Sequence, residues 1–259
     1  MTAPTPPRLS GCIIARDEAD RIERAVRSLA FCDEVVVLDS GSTDGTVEKA
    51  EALGARVLRT DWPGHVAQKN RALDASAGEW VLSIDADEWV TPELSAEILA
   101  FVATPTASSA SMPRRNHWLG HELSHGRWYP DRRVRLARRA GARWTGDDPH
   151  DRLENGAVSA LHADLHHAPY RTLGEHLATI DRYTATAARS VRPGLAIVDL
   201  LVRPTWAFFR AYILELGFRD GAPGLVVAAL GAIYVLVKYG RAHGIIPTPI
   251  TPSRDGAAA

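Results

Sequence analysis

Three acidic residues follow an apolar run in the N-terminal half of the chain. Residues 81–84 predict a buried strand, and Asp85, Asp87 and Glu88 come directly after it. In an extended chain Asp85 and Asp87 point to the same side, about 6.5–7 Å apart. Hard divalent cations prefer oxygen ligands, so this spacing predicts a metal site. An acidic turn that caps a helix starting near Pro92 would use the same residues without a metal.

A second polar segment follows the apolar strand predicted over residues 34–38. Asp39, at the end of that strand, could accept hydrogen bonds from a nucleobase or a ribose. Gly41 allows the chain to turn, and the next helix would offer its N-terminus to a phosphate group. The alternative is that Ser42 or Thr43 simply caps that helix.

The elements that carry these residues alternate between strand and helix patterns. This alternation predicts a mostly parallel, doubly wound α/β sheet, in which ligands bind at the carboxyl ends of the strands. Arg16, Asp39 and Asp85 all fall at that edge, although each follows a different strand. The predicted strands are 10–15, 34–38, 56–59 and 80–85, and the predicted helices are 22–30, 47–54, 65–77 and one from about 92.

Composition narrows the class of function. The 259 residues carry a net charge of −1, with a pI of about 6.8, so no overall positive field favours nucleic acid as a partner. Cys12 and Cys32 lie in apolar segments without metal-ligand spacing, which favours a reduced, cytosolic compartment. Residues 1–10 contain no apolar core, so we expect no secretory signal there.

Four segments in this order resemble the family 2 glycosyltransferases with the GT-A fold: 15–18, 39–46, 68–70 and 85–88. The resemblance implies a nucleotide-diphosphate sugar donor, Mg²⁺ or Mn²⁺, and inversion at the anomeric carbon. It also implies that Asp39 faces the nucleoside, that Asp87 and Asp85 serve the metal, and that Lys69 lies near the diphosphate. The remaining residues that the resemblance assigns to the donor site are Ala15, Arg16, Glu18, Ser40 and Gly41.

Arginine is concentrated in the middle of the chain. Residues 114–143 contain nine arginines and two acids in an otherwise near-neutral protein. Guanidinium groups suit phosphate and carboxylate, so the run predicts contact with an anionic donor or acceptor. A solvated basic face is the simpler alternative.

Transfer with inversion needs a carboxylate that takes the proton of the acceptor hydroxyl. We expect Asp151 to be this base, with Asp131 as the second candidate and His150 orienting the base or contacting the metal. Segments 125–136 and 149–151 resemble a bacterial subgroup that glycosylates the lipopolysaccharide inner core. That subgroup usually shows Val-His-Glu where this chain has Pro-His-Asp. The resemblance implies a lipid-linked saccharide acceptor and synthesis of a cell-envelope glycan.

The C-terminal part has a different pattern. We expect a GT-A catalytic domain over 9–170 and membrane-associating helices over 171–247. Residues 195–213 form an apolar face that also carries Arg203 and Arg210. Residues 221–237 are uncharged, but a membrane span usually needs about 20 apolar residues. We therefore expect a peripheral attachment to the anionic inner face of the cytoplasmic membrane. Alternatively, the helices cover the catalytic domain as ordinary core.

Two other classes of function remain open. Residues 121–125, His-Glu-Leu-Ser-His, match the zinc metalloprotease pattern, which requires a helix and a third ligand. Gly120 and Gly126 bracket this segment and argue against a helix. A non-catalytic module that binds nucleotide sugars would keep Asp39 and Asp87 but would lack a carboxylate that faces the acceptor.

Overall fold

A computed structural model describes residues 8–146 and 151–248. The strands in this part of the chain are β1 (Leu9–Ala15), β2 (Glu34–Asp39), β3 (Arg56–Arg59), β4 (Trp80–Asp85), β5 (Glu88–Val90), β6 (Ser109–Trp118), β7 (His121–Glu122), β8 (Asp131–Arg138), β9 (Arg143–Thr145), β10 (Arg152–Glu154), β11 (Val158–Ala160) and β12 (Leu165–Tyr170). The α-helices are α1 (Ile22–Ser28), α2 (Thr46–Ala52), α3 (His65–Ala75), α4 (Pro92–Ala103), α5 (Leu173–Arg189), α6 (Arg203–Phe209) and α7 (Gly221–Ala242).

The chain divides into two compact units. The first, which we call the sheet unit, extends to Asn116 and resumes from Pro130 to Ala168. The second, which we call the helical unit, consists of His117–Tyr129 and the chain from Pro169 onwards.

The sheet unit is built on strands in the order β3-β2-β1-β4-β8-β6-β12-β5. The first four are parallel, as the alternating pattern predicts, and most apolar residues of β1, β2 and β4 are buried because helices cover the sheet. The sheet continues with antiparallel pairs, since β8 runs opposite to both β4 and β6. The predicted α/β fold with a doubly wound parallel region is confirmed.

The register of the parallel strands brings three strand ends to one level. Ala15, the last residue of β1, pairs with Asp39, the last residue of β2. On the other side of β1, Ile14 pairs with Asp85, the last residue of β4. The polar segments that follow these strands therefore begin side by side at the carboxyl edge of the sheet.

One detail of the predicted metal site is wrong. β4 ends at Asp85, and residues 86–87 form a turn before β5 begins at Glu88. Asp85 and Asp87 therefore do not share the face of one extended strand. The turn forms because the Glu88 carboxylate accepts the backbone N–H of Asp85 at 2.9 Å, while β5 pairs with β12.

The helical unit has its own core, composed of Trp118, Leu123, Ile180 and Leu230. Residues 198–214 are helical throughout, with α6 between two π-helical segments, Val198–Val202 and Arg210–Leu214. The segment Gly217–Ala242 is long and apolar enough to cross a membrane, and 17% of its most apolar window is buried.

The helix that the metalloprotease alternative requires does not form. His121 and Glu122 lie in β7, which pairs with the end of β6 in a hairpin. Leu119 and Gly120 make the turn between the two strands, with φ angles of 47° and 85°. A strand places the two histidines differently from two residues one helical turn apart, so the alternative is wrong.

Candidate functional site

Asp85 lies in a buried network of charges at the end of β4. Its two carboxylate oxygens contact Lys69 Nζ at 2.9 Å and Arg135 Nη2 at 2.6 Å. Glu88, which is 1% exposed, shares the same Arg135 nitrogen at 2.6 Å. Burial alone would raise the pKa of Asp85, but Arg135 and Lys69 outweigh it and hold this pKa well below its usual value. Asp85 is therefore a carboxylate with a cation on each oxygen.

Asp87 has looser contacts. Its Oδ2 atom lies 3.4 Å from His167 Nε2 and 3.9 Å from Arg21 Nη1, both longer than a charge-assisted hydrogen bond. Burial and the nearby Asp85 would raise the pKa of Asp87, but His167, with a smaller contribution from Arg21, lowers this pKa below its usual value. The lowered pKa favours the ionised carboxylate, which has no close ion pair with either neighbour.

His167 is oriented by a neighbour. Its Nδ1 atom lies 2.6 Å from the side-chain oxygen of Asn116. An amide oxygen only accepts hydrogen bonds, so Nδ1 donates and Nε2 faces Asp87. The sequence did not indicate His167 as a site residue. β12 brings it beside Asp87 by pairing with β5, and this pairing has no signature in the sequence.

Asp151, the expected base, is linked to the charged network around Asp85 by Lys69. Its Oδ2 atom lies 2.7 Å from Lys69 Nζ, so a single ammonium group joins Asp151 to Asp85. The same nitrogen lies 4.4 Å from the centre of the Trp144 ring. His150, which the sequence assigns to the base or the metal, lies outside the described residues.

Asp131, the second candidate, is held by arginines at the start of β8. Arg114 donates to its Oδ2 atom from Nε at 3.0 Å and from Nη2 at 2.5 Å, and Arg133 contacts Oδ1 at 3.0 Å. Burial would raise the pKa of Asp131, but Arg114 and Arg133 outweigh it and keep this pKa below its usual value. The two arginines thus make Asp131 a poor proton acceptor near neutral pH.

The two carboxylate oxygens of Asp39 differ in their hydrogen bonds. Oδ2 accepts the backbone N–H groups of Gly41 and Ser42, both at 3.0 Å. Asp39 is 1% exposed, and within the described ranges its Oδ1 atom has no hydrogen-bond partner. A buried acceptor without a partner costs free energy, which a ligand donor would recover. Gly41 has φ of +84°, so its conformation favours glycine.

The other residues expected at the donor site lie around this loop. The carbonyl oxygen of Ala15 accepts the backbone N–H of Ser40 at 3.0 Å. The backbone N–H of Glu18 donates to the hydroxyl of Thr46 at 2.8 Å, at the start of α2. The Arg16 side chain is 58% exposed. The structure thus brings Ala15, Ser40 and Gly41 together directly, and leaves Arg16 extended into solvent.

Comparison with known proteins decides the family of this region. The model of the Glycosyl transferase family 2 matches residues 10–122. The chain contains a family 2 glycosyltransferase domain. Asp39, Lys69, Asp85 and Asp87 fall inside the matched range of this domain, whereas Asp131, Asp151 and His167 follow it.

Two curated relatives and one solved structure describe the likeness further. The lipopolysaccharide core biosynthesis glycosyltransferase LpsC of Rhizobium meliloti is 28% identical over 267 residues, which cover 96% of this chain and 97% of that protein. An uncharacterized glycosyltransferase of Rickettsia bellii is 49% identical over 92 residues, 35% of this chain and 31% of the relative, so this match spans about a third of the relative's length. The mannosyltransferase PcManGT of Pyrobaculum calidifontis, solved with GDP-Man and Mn²⁺, has a TM-score of 0.53 at 16% identity, covering 93% of this chain and 88% of that one. This structural likeness confirms the predicted GT-A fold class.

The sequence did not single out the arginine partners of the acidic residues in the family 2 domain. Arg135 belongs to the arginine run, but only the fold shows that it is 4% exposed and paired with Asp85. Arg21, which is 7% exposed, sits at the start of α1 and turns its guanidinium towards Asp87. A buried arginine predicts a buried acid, but the spacing along the chain does not say which one.

Proposed function

We propose that this protein is a metal-dependent, inverting glycosyltransferase that moves a sugar from a nucleotide-diphosphate sugar to a lipid-linked saccharide. One observation carries the proposal. At the carboxyl edge of the parallel strands of the family 2 domain, Asp39 offers an unsatisfied buried oxygen, Asp87 offers an ionised carboxylate, and Asp151 adds a third acid nearby. These groups match the three parts of such a reaction: nucleoside, diphosphate with its cation, and acceptor.

The donor would bind along the loops that follow β1 and β2. Asp39 Oδ1 would accept a hydrogen bond from the base or the ribose, which would remove the cost of its burial. Ala15, Arg16, Glu18, Ser40 and Gly41 would form the surrounding surface. Arg16 is the exposed cation of this set and would suit a phosphate oxygen. GDP-Man in the Pyrobaculum mannosyltransferase is a donor of the expected class.

The residues present fit a divalent cation. Asp87 would be its main carboxylate ligand, and His167 Nε2, 3.4 Å from the Asp87 Oδ2 atom, would offer a second ligand atom. Asp85 was expected to share this role, but its oxygens already contact Lys69 and Arg135. A set of one oxygen and one imidazole suits Mn²⁺ better than Mg²⁺, which binds almost entirely through oxygen. When bound, the cation supplies positive charge to the departing diphosphate.

Asp151 would act as the general base. It would take the proton of the acceptor hydroxyl while that oxygen attacks the anomeric carbon from the side opposite the diphosphate, and this single displacement inverts the configuration. Asp131 is less suited, because two arginines hold its two oxygens, whereas Asp151 has one ammonium partner that it shares with Asp85.

The acceptor class rests on the likeness to LpsC, which covers nearly the whole of both chains. We infer an acceptor of the lipopolysaccharide-core type, which is anchored by lipid and carries anionic groups. Arg133, which is 45% exposed on β8, could face such groups. The exposed apolar side chains of the helical unit, including Leu201, Trp206 and Phe209, support attachment to the cytoplasmic face of the membrane.

The test is release of nucleoside diphosphate by the purified full-length protein. GDP-mannose, UDP-glucose and UDP-N-acetylglucosamine would each be incubated with Mn²⁺, with Mg²⁺ and with EDTA. We expect slow hydrolysis of one donor that requires the cation, with the released sugar in the inverted configuration by proton NMR. Binding of a donor without any release would instead favour a non-catalytic module, and retention of configuration would exclude the inverting mechanism.

A further inference from the structure

Three consecutive polar residues of helix α3, Gln68, Lys69 and Asn70, bind other parts of the sheet unit with their side chains. Gln68 Nε2 donates to the hydroxyls of Ser40, at 2.9 Å, and Thr60, at 2.6 Å. Lys69 contacts Asp85 and Asp151, as described above. These contacts connect the helix to the loop after β2, to the end of β4 and to the segment before β10.

We propose that Lys69 is a positioning residue that fixes the carboxylate of Asp151 relative to Asp85 for the proposed transfer reaction. This inference rests on the proposed function and replaces the expected role of Lys69 at the diphosphate. The residue would act on the acceptor side of the reaction, through Asp151, and would contribute little to binding of the nucleotide.

The surroundings of Lys69 support this role. Its side chain is 4% exposed, and its ammonium lies 2.9 Å from Asp85 and 2.7 Å from Asp151. An ammonium has three N–H donors, and these two contacts use two of them. The Trp144 ring lies 4.4 Å away, within the range of a cation–π interaction. Little capacity remains for a phosphate oxygen unless one of the carboxylates leaves.

Asn70, the next residue of α3, binds the hairpin that β9 and β10 form. Its side-chain amide donates to the backbone oxygen of Trp144 and accepts the backbone N–H of Trp144, both at 2.9 Å. Trp144 lies in β9, which pairs with β10, and β10 begins directly after Asp151. Adjacent residues of one helix therefore hold the hairpin by its backbone and hold Asp151 by its charge.

The position of a base matters because a displacement of about 1 Å costs up to about 100-fold in rate. Replacing Lys69 by methionine keeps the length of the side chain and removes its charge. Asp151 would lose its ammonium partner, while Asp85 would keep Arg135.

The experiment measures kcat and KM for the donor found active in the hydrolysis screen, and the Kd for GDP or UDP with Mn²⁺ by calorimetry. We expect Lys69→Met to lower kcat by about 10–100-fold. We also expect the Kd to change by less than about threefold, because the nucleotide contacts lie elsewhere. Arg71→Met is the matched control, since Arg71 lies on the same helix but pairs with Asp61 at the surface. This control should change neither quantity.

A double variant decides how Lys69 acts. If it acts through Asp151, Lys69→Met in an Asp151→Asn protein should lower kcat by no more than about threefold further, because coupled residues are not additive. Lys69→Arg, which keeps the charge, should fall between methionine and wild type and provides a second, folded variant.

Three results would overturn the inference. The first is a double variant in which the two losses of kcat multiply. The second is a Kd for the nucleotide that rises by about tenfold or more. The third is a folded Lys69→Met protein with wild-type kcat. A wild-type protein that neither binds nucleotide nor releases it from any donor would overturn the proposed function together with this inference. Normal wild-type turnover with one of the three results would overturn this inference alone.

Discussion

His167 lies with its Nε2 atom 3.4 Å from a carboxylate oxygen of Asp87. Asn116 holds the opposite ring nitrogen at 2.6 Å and so fixes the orientation of the ring. A histidine whose second nitrogen is held by an oxygen is the usual arrangement of a metal-binding imidazole. The relationship supports the proposed cation site, with Asp87 and His167 as an oxygen and a nitrogen ligand.

The first prediction concerns Asp87. Asp87→Ala should lower kcat/KM for the active donor by about 1000-fold, equivalent to about 4 kcal/mol of transition-state stabilisation. The reason is the loss of the principal carboxylate for the cation. A titration with Mn²⁺ should show weakened binding, while circular dichroism should show an unchanged fold. Asp61→Ala is the control, because Asp61 is a surface residue paired with Arg71. Near-wild-type turnover of a folded Asp87→Ala protein would contradict the assignment.

The second prediction separates the two candidate bases. Asp151→Asn should lower transfer by about 100- to 10,000-fold, because the amide preserves the shape but does not take a proton. Asp131→Asn should mainly reduce stability, since Arg114 and Arg133 would each lose an ion pair, although Arg114 would keep Glu88. Single-turnover rates and urea unfolding of both variants would be compared. The assignment is wrong if the order of the two effects on the rate is reversed.

The parallel half of the fold could be predicted from the sequence because local and global signals agree there. The runs at β3 and β4 coincide with the predicted strands, and Gly54 follows α2 with φ of +83°, as expected after a helix end. The antiparallel half was not predictable in this way. The pairing of β12 with β5 joins residues that are far apart in the sequence, and the burial of residues along β12 does not alternate.

The candidate site also combines features that local sequence patterns predict with features that depend on long-range pairing. The acids were recognisable because carboxylates at strand ends of a parallel sheet meet at one edge. The arginine partners of these acids were not recognisable, because the burial of a charged side chain such as Arg135 depends on which strands become neighbours in the fold. Lys69 illustrates the difference, since its motif was recognised but its contact with Asp151 depends on the placement of the β9–β10 hairpin.

The third prediction concerns the buried charges. Arg135→Met should lower the free energy of unfolding by about 3–5 kcal/mol, because the buried Glu88 and its neighbour Asp85 would both lose the cation that they share. Arg138→Met, on the same strand, should cost only about 0–1 kcal/mol, since Arg138 is an exposed residue paired with Glu79. Urea unfolding at pH 7 measures both. Equal effects of the two substitutions would show that the network does not stabilise the sheet unit.

The fourth prediction concerns pH and the helical unit. Burial lowers the pKa of His176 from 6.5 to about 4, and Trp118 Nε1 donates to its Nδ1 atom at 3.2 Å. The folded state therefore favours neutral His176. Stability from this group is complete above pH 6.5 and is lost as the pH falls towards 4, because only the unfolded state binds the proton there.

The measurement compares urea unfolding at pH 7 and at pH 5. The wild type should lose about 2 kcal/mol more between these values than His176→Gln, since glutamine still accepts from Trp118 but does not titrate. Identical pH dependence of the two proteins would show that His176 is not the group responsible.

The last prediction concerns the membrane. Trp206 and Phe209 are 53% and 43% exposed on α6, next to other exposed apolar side chains such as Leu201. Arg203 and Arg210, which the sequence offers to anionic head groups, are paired with Asp199 at 2.7 Å and Glu215 at 2.8 Å. Apolar insertion should therefore contribute more to attachment than these two charges.

Trp206→Ser combined with Phe209→Ser should weaken binding to vesicles of phosphatidylcholine and phosphatidylglycerol by at least about 100-fold, because each buried aromatic side chain contributes about 1.5–3 kcal/mol. Arg203→Glu combined with Arg210→Glu should weaken it less, and this loss should disappear at high salt. Thr205→Ser is the control on the same exposed surface. Co-sedimentation of full-length protein with the vesicles measures each effect. If the wild type stays in the supernatant, the apolar face of the helical unit is not a membrane surface, and a C-terminus protected on the far side of sealed vesicles would show that Gly217–Ala242 spans the bilayer instead.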